Sequence, residues 1–205
     1  MTSIVGILLA AGRSRRMGRT KQLLPWPTAG GRTTVVAAAF DAIAPACTAM
    51  LVVVGHEADA IIAALGDRPC SFVHADPDAP MFESLRAGLD QLGRDWPAAA
   101  GLVLPADLPA IARSTLDALV TAHGLAPAHV IRPRCGDRGG HPVVIPATMI
   151  DALRANPGTR GLRGFLAEHP GDVRDVPVDD PAVIRDMDDE AAYQRAMEEA
   201  SRQQG

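Results

Sequence analysis

Residues 4–25 read Ile4-Val5-Gly6-Ile7-Leu8-Leu9-Ala10-Ala11-Gly12-Arg13-Ser14-Arg15-Arg16-Met17-Gly18-Arg19-Thr20-Lys21-Gln22-Leu23-Leu24-Pro25. The apolar run Ile4 to Leu9 suits a buried strand, so the glycines and cations that follow belong at that strand's carboxyl end. Open α/β sheets bind their ligands there. Ala10, Ala11 and Gly12 let a backbone approach closely, and Arg13, Arg15, Arg16, Arg19 and Lys21 place five cations within nine residues. Free backbone N–H groups, small residues and positive charge are what a phosphate-wrapping loop needs. Such a loop turns only some of its cations inward; Arg16 and Lys21 are the expected pair. The alternative is a solvated basic turn ahead of a helix, which fits poorly with a chain whose net charge is -4.

Two familiar glycine loops fail here. A Walker A loop needs Lys and then Ser or Thr directly after its second glycine, but Gly18 is followed by Arg19, Thr20, Lys21 and Gln22. A dinucleotide fingerprint needs G-x-G-x-x-G, which this loop lacks.

Outward from the loop, strand-like and helix-like segments alternate. Met50 to Val54, closed by Gly55, reads as a second buried strand, Cys70 to His74 as a third and Gly101 to Leu104 as a fourth. Helices are expected over Thr33 to Ala46, Ala58 to Leu65, from about Pro80 to Leu92, and from Ser114, as its cap, to His123. Pro27 to Arg32, rich in Gly, Pro and Thr, reads as a flexible loop. This alternation predicts an α/β fold with a mainly parallel sheet covered on both faces. Four loops then meet at its carboxyl edge: the opening one, Gly55 to Glu57, Ala75 to Met81 and Pro105 to Pro109.

The second half is less regular. Val130 to Pro133 and Val143 to Ile145 read as paired strands around a glycine-rich turn, Gly136 to His141. Met149 to Arg154 and Leu162 to Glu168 look helical, Val173 to Val178 extended, and Asp189 to Ala200 a closing helix.

The 205 residues fit one domain, which at this length buries roughly 70% of its unfolded surface. A nucleotide-binding half is expected over about residues 1–125 and an acceptor half over about 126–205. With pI about 5.8 the positive charge is local, so nucleic acid is not an expected partner. Cys47, Cys70 and Cys135 are odd in number and lack C-x-x-C spacing, which fits a reducing cytoplasm. No run of ~18 apolar residues marks a membrane span. The histidines show no H-E-x-x-H spacing, and no G-x-S-x-G elbow is present.

Asp107, in Pro105-Ala106-Asp107-Leu108-Pro109, is a carboxylate between prolines just past an apolar strand. Beside a triphosphate its natural partner is Mg²⁺, which takes one or two protein carboxylates and completes its shell with phosphate oxygens and water. The plain alternative is a surface turn.

Residues 8–25 resemble the signature L-A-A-G-x-S-x-R-M-G-x-x-K-x-L-L-P of the MobA-like nucleotidyltransferases, and within them the molybdenum cofactor cytidylyltransferases. The resemblance implies a single-domain Rossmann-like nucleotidyltransferase fold with a small irregular acceptor-side subregion. It also implies a Mg²⁺-dependent enzyme that joins a nucleoside monophosphate to a phosphorylated acceptor and releases pyrophosphate. Leu9, Ala10, Ala11, Gly12, Arg16 and Lys21 would then bind the nucleotide, with Arg16, Lys21 and Asp107 carrying the catalysis. Pro-Ala-Asp-Leu-Pro is similar to the family's metal-binding G-D-M-P or C-D-Q-P element. Arg185-Asp186-Met187-Asp188-Asp189-Glu190 looks like its D-I-D-T-P-E-D segment, which makes Asp188 the second metal ligand and Asp186 its neighbour. Asp188 or Asp189 is equally suited to capping the last helix.

Pro80 to Leu89 is similar to the family's G-M-x-x-S-L-x-x-G-L, so Ser84 is either a nucleotide contact or an ordinary helix serine. Asp76 and Asp78 touch base or ribose, or close an Asx turn. Gly136 to Val143 resembles the acceptor-side G-x-R-G-x-P-V, which assigns Arg138, Gly139 and His141 to the acceptor, or else to a hairpin turn. Arg160 and Arg163 are further candidates for an anionic acceptor. Ala-Ala-Gly stands where guanylyltransferase relatives carry Ala-Gly-Gly, which favours CTP as donor. The acceptor implied is molybdenum cofactor, with a molybdoenzyme receiving the product. The same chemistry on a sugar or polyol phosphate, or a cofactor-holding chaperone without catalysis, are the alternatives.

Overall fold

The computed structural model describes residues 3–14 and 17–203. Strand β1 (Ile4–Leu9) lies between β4 (Ala49–Val54) and β6 (Ala100–Pro105), parallel to both, and β5 (Ser71–His74) extends the sheet beyond β4, also parallel. Near-continuous apolar strands are what a sheet buried on both faces requires. Pleating sends Ile4 and Leu8 to one face and Val5 and Ile7 to the other, where each joins a separate core. The first core takes Val36, Phe40 and Ile43 of α1 (Val35–Ile43), Ile61 and Leu65 of α2 (Ala58–Leu65), and Leu116 and Leu119 of α4 (Arg113–Leu125). The second takes Leu85, Leu89 and Leu92 of α3 (Met81–Asp95), with α5 (Ala147–Ala155) and α6 (Gly161–Glu168) beside it. Full burial of a side chain such as Ile7 or Leu8 is worth about 1.5–3 kcal/mol. Helix α3 packs close to the sheet because it presents Gly88 to β1; a Cβ there would stand 2.7 Å from Ile7 Cγ2.

The sheet continues past β6 through β9 (Val143–Ile145), β7 (Val130–Cys135) and β10 (Val173–Pro177), with β8 (Arg138–Gly139) pairing on β7. Only β9 and β8 run against the rest: β9 is antiparallel to both β6 and β7, and β7 and β10 are parallel. The pairing expected between 143–145 and 130–133 reduces to Ile131 with Val144, since β9 spends most of its register on β6.

Residues 27–32 are not a free loop. They form most of a two-stranded antiparallel hairpin, β2 (Pro25–Thr28) and β3 (Gly31–Thr34), which buries Trp26 with Leu24, Val35 and three side chains from the carboxyl-terminal segment, Met187, Tyr193 and Ala200. The helix expected from Thr33 therefore starts at Val35, with Thr34 as its cap accepting from the Ala37 N–H at 3.4 Å. Ser114 lies inside the first turn of α4 and does not cap it; the cap residue is Ala112. The closing helix α7 spans Glu190–Gln203.

Candidate active site

At the carboxyl ends of β1 and β6, a cleft of about 180 Å³ is bounded by Gly12, Ser14, Lys21, Asp76, Ser84 and Asp107, among others. The opening loop, the 75–81 loop and the 105–109 loop therefore meet, as the strand order requires. One backbone bond ties the first to the last, Ala106 N–H donating to the Leu9 carbonyl at 3.0 Å, and a second closes the 105–109 turn on itself, Leu108 N–H donating to the Pro105 carbonyl at 3.3 Å. The turn holds Asp107 at 9% exposure.

Lys21 closes the cleft. Its Nζ donates to Asp107 Oδ2 at 2.5 Å and to Asp188 Oδ1 at 3.3 Å, joining residues far apart in sequence around one cation. Burial pulls its ammonium down, but the two carboxylates more than offset this and its pKa is raised. Asp189 is the helix cap, accepting from Ala192 N–H at 2.7 Å, which leaves Asp188 to face Lys21. Among the described residues no group of three or more His, Cys, Asp or Glu is arranged to hold a metal. The Asp107 and Asp188 pair suits Mg²⁺, which needs no more than one or two protein carboxylates, and the two already gather around positive charge.

Lys21 is itself positioned. Ser14 Oγ accepts from the Lys21 N–H at 3.0 Å and donates to Gln22 Oε1 at 3.1 Å, while Gln22 Nε2 donates to the Gly12 carbonyl at 3.3 Å. Thr20 Oγ1 donates to Glu57. Among the described residues, Ser14 and Glu57 are the two non-glycine residues with positive φ, at 50° and 51°, a costly backbone state that recurs where a site is held to shape. Sequence reading passed over these supports. Ser14 occupies the fixed serine of the quoted signature and was findable; Gln22 and Glu57 carry no local signal. Asp180 was also missed. Its Oδ2 accepts from Ala112 N–H at 3.0 Å and Thr115 Oγ1 at 2.8 Å, and its Oδ1 from Ala182 N–H at 3.0 Å. It thus ties the start of α4, just past Asp107, to the segment that carries Asp188.

Of the other expected residues, Leu9, Ala11, Gly12, Asp76 and Ser84 line the cleft. Ala10 does not: it is fully buried in the first core, its N–H bonded to Val53 O at 2.8 Å. Asp76 also closes the Asx turn, accepting from Asp78 N–H at 2.9 Å, and Asp78 pairs with Arg13 at 2.6 Å. Arg16, with Arg15, lies outside the described residues.

A family model, the MobA-like NTP transferase domain, matches residues 6–173. The chain belongs to the MobA-like NTP transferase family. This MobA-like chain is 32% identical over 199 residues to nicotine blue oxidoreductase of Paenarthrobacter nicotinovorans, covering 90% of this chain and 92% of that one. It is 35% identical over 131 residues to the molybdenum cofactor guanylyltransferase of Pseudomonas aeruginosa, covering 63% and 61%. Among solved structures, Rv0371c of Mycobacterium tuberculosis is 31% identical with TM-score 0.82, covering 96% and 99%; a manganese complex of it matches with TM-score 0.78. The fold is thus the Rossmann-like nucleotidyltransferase fold, and no helix among the described residues is long and apolar enough to cross a membrane.

In this MobA-like transferase the expected acceptor residues Arg138, Gly139 and His141 share a second cleft, of about 390 Å³. Arg163 of α6 lines it too, whereas Arg160 does not and pairs with Glu168 at 3.5 Å. Burial pulls the His141 imidazole below its usual range, against a hydrogen bond to the Val103 backbone and the fields of Asp107 and Asp186. His141 therefore joins this cleft electrostatically to the first.

Proposed function

We propose that this MobA-like protein transfers CMP from CTP to molybdenum cofactor with release of pyrophosphate. The single observation that carries the reading is Lys21, held between Asp107 and Asp188 at the carboxyl edge of a parallel sheet. Two carboxylates that converge on a cation, in a cleft walled by a glycine loop, suit a Mg²⁺-bound triphosphate better than any neutral ligand. The manganese complex of the Mycobacterium relative fits a divalent ion in this fold.

In this reading an oxygen of the acceptor phosphate forms a new bond to the α-phosphorus. The bond from that phosphorus to the α,β-bridging oxygen breaks, and pyrophosphate departs with the electron pair. Asp107 and Asp188 would hold Mg²⁺, which would supply charge neutralisation to the triphosphate. Lys21 is placed to turn from the carboxylates to the phosphates, Arg16 adds a second cation, and Ser14 with Glu57 keeps the loop in shape. An ionised phosphate nucleophile needs no general base, so positioning and electrostatics carry the rate.

Ala11 is among the cleft's lining residues, at the position where the resemblance puts glycine in the guanylyltransferases, and this supports CTP as donor. The relative named a guanylyltransferase makes GTP the competing donor. The deciding assay measures pyrophosphate release with CTP, GTP, ATP and UTP, with and without molybdenum cofactor, and then with sugar and polyol phosphates. Oxidoreductase activity on nicotine blue is assayed in parallel, because of the relative named nicotine blue oxidoreductase. CTP-dependent release that needs molybdenum cofactor and vanishes in Asp107→Asn is expected; release with GTP alone would correct the donor. No release with any pair would overturn the reading.

A further inference from the structure

The second cleft holds more positive charge than one phosphate requires. Its wall carries the guanidinium groups of Arg132, Arg134, Arg138 and Arg163, and the carboxylates paired with them among the described residues are Asp175 and, at 4.0 Å from Arg134, the exposed Asp137. Asp175 of β10 stands beside Arg132 of β7 in the strand register and accepts from its Nε at 2.8 Å and its Nη2 at 3.1 Å, and from Arg134 Nη1 at 3.0 Å. Arg132 is thereby spent on Asp175. Gly139 leaves room for it, since a Cβ there would stand 2.5 Å from Arg132 Nε.

The remaining donors are the rest of Arg134, Arg138, whose Nη2 reaches only the Ile184 carbonyl at 3.4 Å, and Arg163, which has no ion-pair partner among the described residues. In the same cleft His141 Nδ1 is buried without a hydrogen-bond partner among the described residues. Buried polar atoms are normally satisfied, and an orphan on a cleft wall points to a ligand that completes it. Clustered guanidinium groups with open N–H forks match multidentate anions.

We infer that this cleft binds a ligand with at least two separate anionic groups, so that the acceptor carries a second anion besides the phosphate that attacks. The word acceptor rests on the transfer reading above; the anion site does not.

The test uses the full chain and calorimetric titration with a ladder of α,ω-alkyl bisphosphates of increasing chain length, against alkyl monophosphates of matched length. A charge-assisted hydrogen bond contributes about 1.5–3 kcal/mol, so a second engaged group should tighten binding at least roughly tenfold at the best length. That preference should shrink as salt is raised. Arg138→Gln and Arg163→Gln, made singly and together, should bring the bisphosphate down to the monophosphate level while the melting temperature stays near that of the parent. Absence of a bisphosphate preference at every length, or a preference that survives the double substitution, would overturn the inference. A separate titration with Mn²⁺ and CTP keeps the two readings apart: failure there with an intact bisphosphate preference counts against nucleotidyl transfer alone.

Discussion

Replacing Lys21 with Met keeps the aliphatic stem and deletes the charge that Asp107 and Asp188 share. The Lys21 and Asp107 side chains are 16% and 12% exposed, so their 2.5 Å contact behaves as a buried ion pair. Breaking such a pair from one side costs about 3–5 kcal/mol. Asp188 is 45% exposed and at 3.3 Å, and surface pairs add about 1 kcal/mol or less. Partial solvation of the cleft places the expected loss near the lower bound, about 3 kcal/mol, which for a chain of this size lowers the melting temperature by roughly 6–12 °C.

The sequel separates electrostatics from packing. With the ammonium gone, a divalent cation meets two carboxylates without competition. Mn²⁺ at a hundredfold excess over its dissociation constant returns about 2.7 kcal/mol. Melting curves across a Mn²⁺ titration should therefore show a much larger rise for Lys21→Met than for the parent, and pyrophosphate release should remain absent. The pH dependence has a definite sign. Lys21 has a raised pKa, so its contribution is fully present below 10.5 and is lost as pH climbs through the raised value. The parent should lose stability in that alkaline window and the variant should lack the step. A variant as stable as the parent, or one that gains no more from Mn²⁺, would refute the argument that these carboxylates depend on a cation.

Two further substitutions test the scaffold. Asp180→Ala removes three hydrogen bonds at a buried carboxylate, for an expected loss of about 3 kcal/mol by urea unfolding, and should weaken Mn²⁺ binding because Asp180 ties the Asp107 loop to the segment bearing Asp188; unchanged Mn²⁺ affinity would leave it a structural residue only. His123 is 1% exposed with both ring nitrogens unpartnered, and burial lowers its pKa, so the unfolded chain takes up a proton below pH 6.5 that the native state refuses. His123→Leu should stabilise by about 1 kcal/mol near neutral pH, and by more at pH 5; a gain that shrinks with acid would contradict this.

The parts legible in the sequence are those whose signal is local. An apolar run followed by small residues and cations located β1 and the opening loop, and a carboxylate between prolines after an apolar strand located Asp107. Within the hairpin at residues 25–34, Pro27 to Arg32 reads as a loop because its prolines and glycines are turn signals, while the hairpin's stability comes from Trp26 packing against the distant Met187 and Tyr193. Ser114 has the residue type of a helix cap, but α4 begins one residue before it and Asp180, 68 residues from Ala112, satisfies the Ala112 N–H. Lys21 was expected to face phosphate. That it also gathers Asp107 and Asp188 depends on the path of the last third of the chain, which no local pattern reveals.

The irregular second half is what makes one edge of the sheet serve two clefts. Strands β1, β4, β5 and β6 leave their carboxyl ends at the edge that carries the first cleft. Because β9 alone is inserted antiparallel between β6 and β7, β7 recovers the common direction and ends at that same edge, where residues 136–142 turn back into β9. His141, with Arg138 and Gly139 just before it, is thus delivered to the edge that also carries Asp107 by a reversal that a strictly alternating fold would not contain. Strand β10, parallel to β7, also ends there and sends the chain through Asp180 to Asp186 and Asp188. The antiparallel strand, the least expected part of the sheet, is therefore the element that sets the arginine cleft beside the cleft of Lys21 and Asp107.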